Sequence, residues 1–443
     1  MTRMTSAPCG QLALTRKRHM PKNMIKKCNL LKLRPLALVV AAATAFLGAP
    51  AMADNVQVAL IDPLSGPFGP IGQNQLKSLQ MFSATANAQK LAGDNTLEFV
   101  GFDNKASPQE SLTQLKSVID KGYRYITQGN GSGVALALID AINKHNSRNP
   151  GKEVVFLNHA AIDPDLTNSK CSFWHFRFDA NSDMKMEALT TAIAKDMSIK
   201  KVYIIGQNYS HGHQVTRAAK ENLKRKRPDI EIVGDDLHPI GQVKDFAPYV
   251  AKIKASGADT IITGNWGADL SLLIRSAKDA GLESKFYTYY AGTTGVPTAM
   301  GAAGAERVKM VGYWHENIEN FSGHEIAAEF KKKYDDDFYT LATYNVVQML
   351  SKAIKDAKSS DPTKVAYALE GMKFKSLNGE NEMRKSDHQL QQSLYVSTWT
   401  KIDGKAVKYD QENTGYGWKT DQKIDAASGA LPTSCEMTRP AKS

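Results

Sequence analysis

Two five-residue runs decide how this chain folds: Val202-Tyr203-Ile204-Ile205-Gly206 and Thr260-Ile261-Ile262-Thr263-Gly264. Each is continuously apolar or β-branched rather than alternating, so each reads as a strand buried on both faces. That is the pattern of a parallel sheet with helices on either side. Outward from them the rhythm repeats. Strands are predicted at 56–61, 97–102, 125–128, 154–158, 230–233 and 286–290. Amphipathic helices are predicted at 73–91, 108–121, 135–146, 182–197, 215–225, 246–256, 269–280, 323–335 and 341–357. About four strand–helix units precede residue 180 and about four follow it, which fits two doubly wound Rossmann-like sheets better than one large sheet.

The alternation weakens at 174–181 and 311–317, and past residue 375 it gives way to short strands, including 395–400 and an Asp403-Gly404 hairpin turn. These three zones read as crossings between lobes. The expected organisation is a first lobe of 54–178 and 318–390 and a second of 179–317 and 391–443, the helices at 323–357 returning to the first.

The formal charge of +11 is misleading. Residues 1–53 hold nine Lys/Arg and no Asp or Glu, and without them 47 basic residues face 45 acidic ones. No nucleic-acid-binding surface is indicated. Basic Met24–Arg34 precedes the apolar run Leu36–Leu47, too short for a membrane span of roughly twenty residues. Gly48 to Pro50 break any helix, and Ala51-Met52-Ala53 offers small residues for cleavage between Ala53 and Asp54. Residues 1–53 therefore read as a secretory signal with additional residues ahead of Met20 or Met24, and the periplasm is the expected compartment. Cys9 and Cys28 leave with the signal. Cys171 and Cys435 remain, a natural pair in an oxidising compartment; two buried free thiols are the alternative.

In open α/β sheets ligands lie beyond the carboxyl ends of strands, where helix N-termini attract anions. Three loops stand there. Asp62–Gly72 (DPLSGPFGPIG) contributes Ser65 and Ile71, Gly129–Gly133 (GNGSG) contributes Asn130, Gly131, Ser132 and Gly133, and Asn158–Thr167 (NHAAIDPDLT) carries the small Ala160 and Ala161. No Gly-Lys-Ser/Thr follows either glycine loop, and Val134 replaces the third glycine of a dinucleotide turn, so no nucleotide or other cofactor is expected. Ser132 either caps its helix or meets a carboxylate.

With ALIDPLSGPFGPIG, FDNKASPQE, NHAAIDPDLT, VYIIGQNYSHG and DTIITGNWGADLSLLIRSAKDAGL in this order, the chain resembles the type I periplasmic solute-binding proteins of ABC importers, in particular the branched-chain amino-acid-binding family. The resemblance runs from Val56 to about Trp399. It implies two lobes joined by a three-crossing hinge, a ligand carboxylate held by Ser132 and the N–H groups of Ala161-Ile162, and a main-chain carbonyl at Ala160 for a ligand ammonium. It also implies Tyr209 as the closing aromatic, with Trp266 in the loop where the family often has another. A monomer that delivers its ligand to an inner-membrane permease is the implied partner arrangement, and a sensor docking on a membrane receptor would use the same lobes.

Two departures bear on the ligand. The family's hydroxyl-bearing threonine is Ile162 here. After the strand at 286–290, where the family has an acidic partner for the ammonium, this chain reads Tyr289-Tyr290-Ala291-Gly292. A buried ammonium without a counter-charge costs several kcal/mol. The expectation is therefore an apolar or aromatic carboxylate lacking an amine, walled by Tyr209, Trp266, Tyr289 and Tyr290, with leucine as the alternative ligand and core packing as the alternative role of each aromatic. No catalytic residues are expected. There is no HExxH, Cys/His cluster or G-x-S-x-G elbow, His211-Gly212-His213 is too cramped for a metal site, and Asp335-Asp336-Asp337 reads as a solvated helix end.

Overall fold

The computed structural model describes residues 53–442; the expected signal segment lies outside them. The first sheet is wholly parallel. It contains β1 (Asn55–Asp62), β2 (Thr96–Asp103), β3 (Tyr125–Gln128), β4 (Val155–Asn158) and β5 (His175–Arg177) in the order 2-1-3-4-5. Connecting them are α1 (Gly69–Ala88), α2 (Pro108–Asp120) and α3 (Ser132–Arg148). β1 is buried at Val56 and from Val58 to Asp62, as a central parallel strand requires.

The chain then crosses into α4 (Ser182–Lys195) and a second sheet built in the same way. Its parallel strands are β6 (Lys201–Gln207), β7 (Glu231–His238), β8 (Thr260–Thr263), β9 (Lys285–Thr288) and β10 (Val308–Gly312), with α5 (Ser210–Lys226), α6 (Ala247–Ser256), α7 (Gly267–Asp279) and α8 (Val296–Met300) between them. The second crossing leads back through α9 (His324–Tyr334), α10 (Leu341–Ala357) and α11 (Pro362–Leu369); α10 packs on α1. A small antiparallel sheet of β11 (Lys373–Ser376), β12 (Gly379–Met383) and β13 (Leu390–Gln391) precedes the third crossing. Thereafter β14 (Leu394–Lys401) and β15 (Tyr416–Ile424) join the second sheet antiparallel, giving 15-14-10-9-8-6-7, and α12 (Ala426–Gly429) follows.

Three sequence expectations are corrected. Asp403-Gly404 does not close a tight hairpin: both N–H groups bond to Val407 O, at the start of a long loop between β14 and β15. The strand expected over 286–290 stops at Thr288, so Tyr289 and Tyr290 leave the sheet. Residues 391–443 do not stay with the second lobe. The tail returns to the first, where the Thr433 hydroxyl donates to Thr167 O (2.9 Å), Arg439 pairs with Glu370 (2.9 Å) and Cys435 is joined to Cys171. The expected disulfide is present, and it is what anchors this return.

Candidate functional site

The loops at the carboxyl ends of both sheets face each other across a cleft of about 350 Å³. Its floor in the first lobe is set by buried charge. Asp62, at the end of β1, accepts hydrogen bonds from Gly129 N (3.0 Å) and Asn130 N (2.9 Å), and so fixes the turn between β3 and α3. Gln75 of α1 accepts a bond from the Asn130 amide at 2.6 Å. On the far side, fully buried Arg177 of β5 donates to Asp163 O (2.5 Å) and Gln389 Oε1 (2.7 Å) and also contacts Thr167 Oγ1. Asp163 N in turn donates to Ser132 Oγ at 3.2 Å. The Ser132 hydroxyl therefore accepts from the third loop and keeps its own proton for another partner.

Among the described residues nine of the twelve α-helices start without a side-chain cap, and the starts of α3, α5 and α7 face the cleft. α2, α4 and α11 begin with Ser107, Asn181 and Asp361, whose side chains accept a first-turn N–H. α3, α5 and α7 begin at Gly131, Tyr209 and Trp266, with no side-chain cap, and these three residues line the cavity. A helix N-terminus left uncapped retains unsatisfied donors and the positive end of its dipole, which favours an anion.

The second lobe supplies an aromatic wall. Trp266 Nε1 donates to the Tyr209 hydroxyl at 2.8 Å, and the Tyr289 hydroxyl donates to Ser182 O at 2.8 Å. Burial holds the Tyr209 and Tyr290 phenols well above their ordinary pKa, so both stay protonated. Burial also pushes His211 down to about 4, making it a neutral ring at neutral pH, with Nε2 3.2 Å from Gly264 O.

Ser132, Ala160, Ala161, Ile162, Tyr209, Trp266 and Tyr290 all line the one cavity, as do Ile71, Asn130, Gly131 and Tyr289. Ser65 and Gly133 do not. The Ser65 hydroxyl donates outward to Asp103 Oδ2 (2.5 Å), and Gly133 is the second residue of α3, where an added Cβ would meet nothing within 4 Å. Ala161 N–H is already held by Asn158 Oδ1 (2.8 Å), whereas Ile162 N–H makes no hydrogen bond among the described residues.

Sequence reasoning missed Asp179 and Lys185, a buried ion pair at 2.8 Å in the cavity wall, and also His211 and Tyr313. The pair lies on either side of the first crossing, where no periodicity marks which charges turn inward. Among the described residues no group of three or more His, Cys, Asp or Glu could hold a metal ion, and no helix is long and apolar enough to cross a membrane.

Comparison with known proteins follows the same lines. The model of the family described as "Periplasmic binding protein" matches residues 55–406. The Leu/Ile/Val-binding protein homolog 4 of Brucella melitensis biotype 1 is 32% identical over 419 residues, covering 91% of this chain and 97% of that protein. The closed conformation of the leucine-, isoleucine-, valine-, threonine- and alanine-binding protein of Brucella ovis is 30% identical and superposes with a TM-score of 0.77, covering 88% of this chain and all of that one. An R. palustris solute-binding protein in complex with 4-hydroxybenzoate, 22% identical with a TM-score of 0.71 over 84% of this chain and 97% of its own, shares the fold. Two lobes of one topology, a cleft between their strand ends and a family match over most of the chain agree: this protein belongs to the periplasmic binding proteins, in the branched-chain amino-acid-binding family.

Proposed function

We propose that the protein is the extracytoplasmic solute-binding component of an ABC importer and that it captures a small apolar or aromatic carboxylate between its lobes. The observation that carries this reading is the pairing of Ser132, at the uncapped start of α3, with the ring wall of Tyr209, Trp266 and Tyr290 in one cavity. The N–H groups and hydroxyl would hold the carboxylate and the rings would supply apolar contact, the usual division of labour in a ligand site. Ligand binds the first lobe, the second swings over it, and the closed form is presented to the permease. No covalent chemistry is performed.

The charge at the inner wall favours an acid without an amine. Asp179 is a cavity-lining carboxylate, but Lys185 neutralises it, so it offers no net charge to an ammonium. Amino-acid binding by the relatives, as their names state it, favours leucine as a second reading. Thermal shift and calorimetry with leucine, valine, phenylalanine, benzoate and hydroxycinnamates separate the two. Stabilisation by the acids supports the proposal, and stabilisation by leucine alone overturns it.

A further inference from the structure

We infer that Asp179 and Lys185 form a second polar point in the cavity, which reads a hydroxyl group carried by the ligand in addition to its carboxylate. This rests on the carboxylate reading above and specifies its ligand class as hydroxylated apolar or aromatic acids.

Both side chains are only 2% exposed and both line the cavity. Their bonding is incomplete. Lys185 Nζ has three donors, of which one reaches Asp179 Oδ2 at 2.8 Å. Asp179 Oδ1 is buried with no hydrogen-bond partner. The ammonium is otherwise surrounded by rings, with the centroids of Tyr290, Tyr313 and Tyr289 at 4.9, 5.8 and 6.0 Å. Rings stabilise the cation through their faces but accept no strong hydrogen bond from it. A buried pair of this kind recovers its desolvation cost only when its remaining donors and acceptors are met, so its presence in a cavity wall calls for a polar partner.

The chemistry of the pair selects that partner. An ammonium would satisfy Asp179 but be repelled by Lys185, and a second carboxylate would do the reverse. A neutral hydroxyl both accepts from Lys185 and donates to Asp179, without adding charge beside the buried pair. The pair is also positioned beside the third loop: Ser182 N, between the two residues in sequence, donates to Ile162 O at 2.9 Å.

The test is calorimetry with matched acids: benzoate against 3- and 4-hydroxybenzoate, and cinnamate against 4-hydroxycinnamate, each with its methoxy analogue. In the wild-type protein the hydroxylated member of at least one set should bind at least about tenfold tighter than its unsubstituted and methoxy counterparts. In the neutral double variant Asp179→Asn/Lys185→Met, which removes both charges together and leaves neither unpaired, the ratio of hydroxylated to unsubstituted affinity should fall below about threefold, whatever the affinity of the unsubstituted acid. Equal affinities within every wild-type set overturn the inference and leave the carboxylate reading standing, and this outcome needs no variant to fold. A hydroxyl preference that survives in the double variant overturns it equally. If none of the acids binds the wild-type protein, the carboxylate reading and the inference both fall.

Discussion

The rings of Phe68 and Trp266 lie 4.2 Å apart, centroid to centroid, across the cleft, Phe68 from the turn before α1 in the first lobe and Trp266 from the start of α7 in the second. Trp266 in turn holds the Tyr209 hydroxyl, so a residue remote from the expected ligand groups steadies the aromatic wall that faces them. Phe68 is seated in a notch lined by Gly241 and Gly267, where an added Cβ would stand 2.8 Å from its ring in either case.

Loss of this seat should act on closure. Phe68 is 5% exposed with the lobes together and would be uncovered as they part. Burial of its ring and the aromatic pairing together contribute on the order of 2–4 kcal/mol to the joined state. Phe68→Ala should weaken binding of the best acid from the panel at least about tenfold, chiefly through faster release measured by stopped flow, and should leave a more extended ligand-saturated form in small-angle scattering. Gly267→Ala should do the same, with added backbone strain because its φ is +61°. Unaltered release rates in both variants would mean that the clasp contributes nothing to closure.

Ser132 makes a sharper, smaller claim. If its free proton meets the ligand carboxylate, Ser132→Ala removes one charge-assisted hydrogen bond and orphans the bond from Asp163 N. Affinity should drop by roughly 1–3 kcal/mol, about five- to 150-fold, and the orphaned, buried Asp163 N–H should lower the melting temperature by a few degrees. Calorimetry showing identical affinity would remove Ser132 from the site.

The parts of this arrangement legible in the sequence are those with a local cause. Buried parallel strands need continuous apolar residues, so VYIIG and TIITG reveal the sheets, and the loop after β3 points to Ser132, whereas Tyr209 and Trp266 emerge only through the family resemblance. β5 was invisible because His175-Phe176-Arg177 has no apolar pattern. It is a strand because Arg177 finds acceptors in Asp163, Thr167 and Gln389, the last of them 212 residues away. Asp179 and Lys185 were hidden for the same reason: in sequence a buried ion pair looks like two solvated charges, and only the crossing after β5 turns both inward. The return of the tail to the first lobe was likewise beyond local pattern, although the cysteine count implied its anchor.

Glu316, in the second crossing, gives a pH-dependent test. Burial, reinforced by Asp337 and Asp410 and opposed by Lys331, pushes its carboxyl from 4.5 up to about 7. The folded protein thus holds this proton more tightly than the unfolded chain does. The cost of ionising it is absent below about pH 4.5 and is incurred progressively as pH rises towards 7. Glu316→Gln removes that cost. Its melting temperature should match the wild type at pH 4.5 and exceed it at pH 8 by a few degrees, for a gain on the order of 1–3 kcal/mol. The same difference at both pH values would place the effect elsewhere than in ionisation.

The disulfide between Cys171 and Cys435 closes a span of 264 residues. In the chain-entropy model such a link contributes on the order of 5 kcal/mol. The other bonds holding the tail are single contacts, exposed or part-buried, such as Ser434 N to Asn168 Oδ1 (3.1 Å), Arg384 to Leu431 O (2.7 Å) and Arg439 to Glu370 (2.9 Å), each adding about 1 kcal/mol, with Leu431 and Met437 packed against the core. The covalent link is the largest single contribution. Cys435→Ser should lower the melting temperature by several degrees and expose the chain beyond Gly429 to limited proteolysis. Neither Cys171 nor Cys435 lines the main cavity, so affinity for the ligand should change by no more than about twofold. A tail that resists protease in Cys435→Ser would show that its hydrogen bonds suffice. A large loss of affinity would show instead that the tail, running from β15 in the second sheet back to the first lobe, acts as a further tether governing how the lobes close.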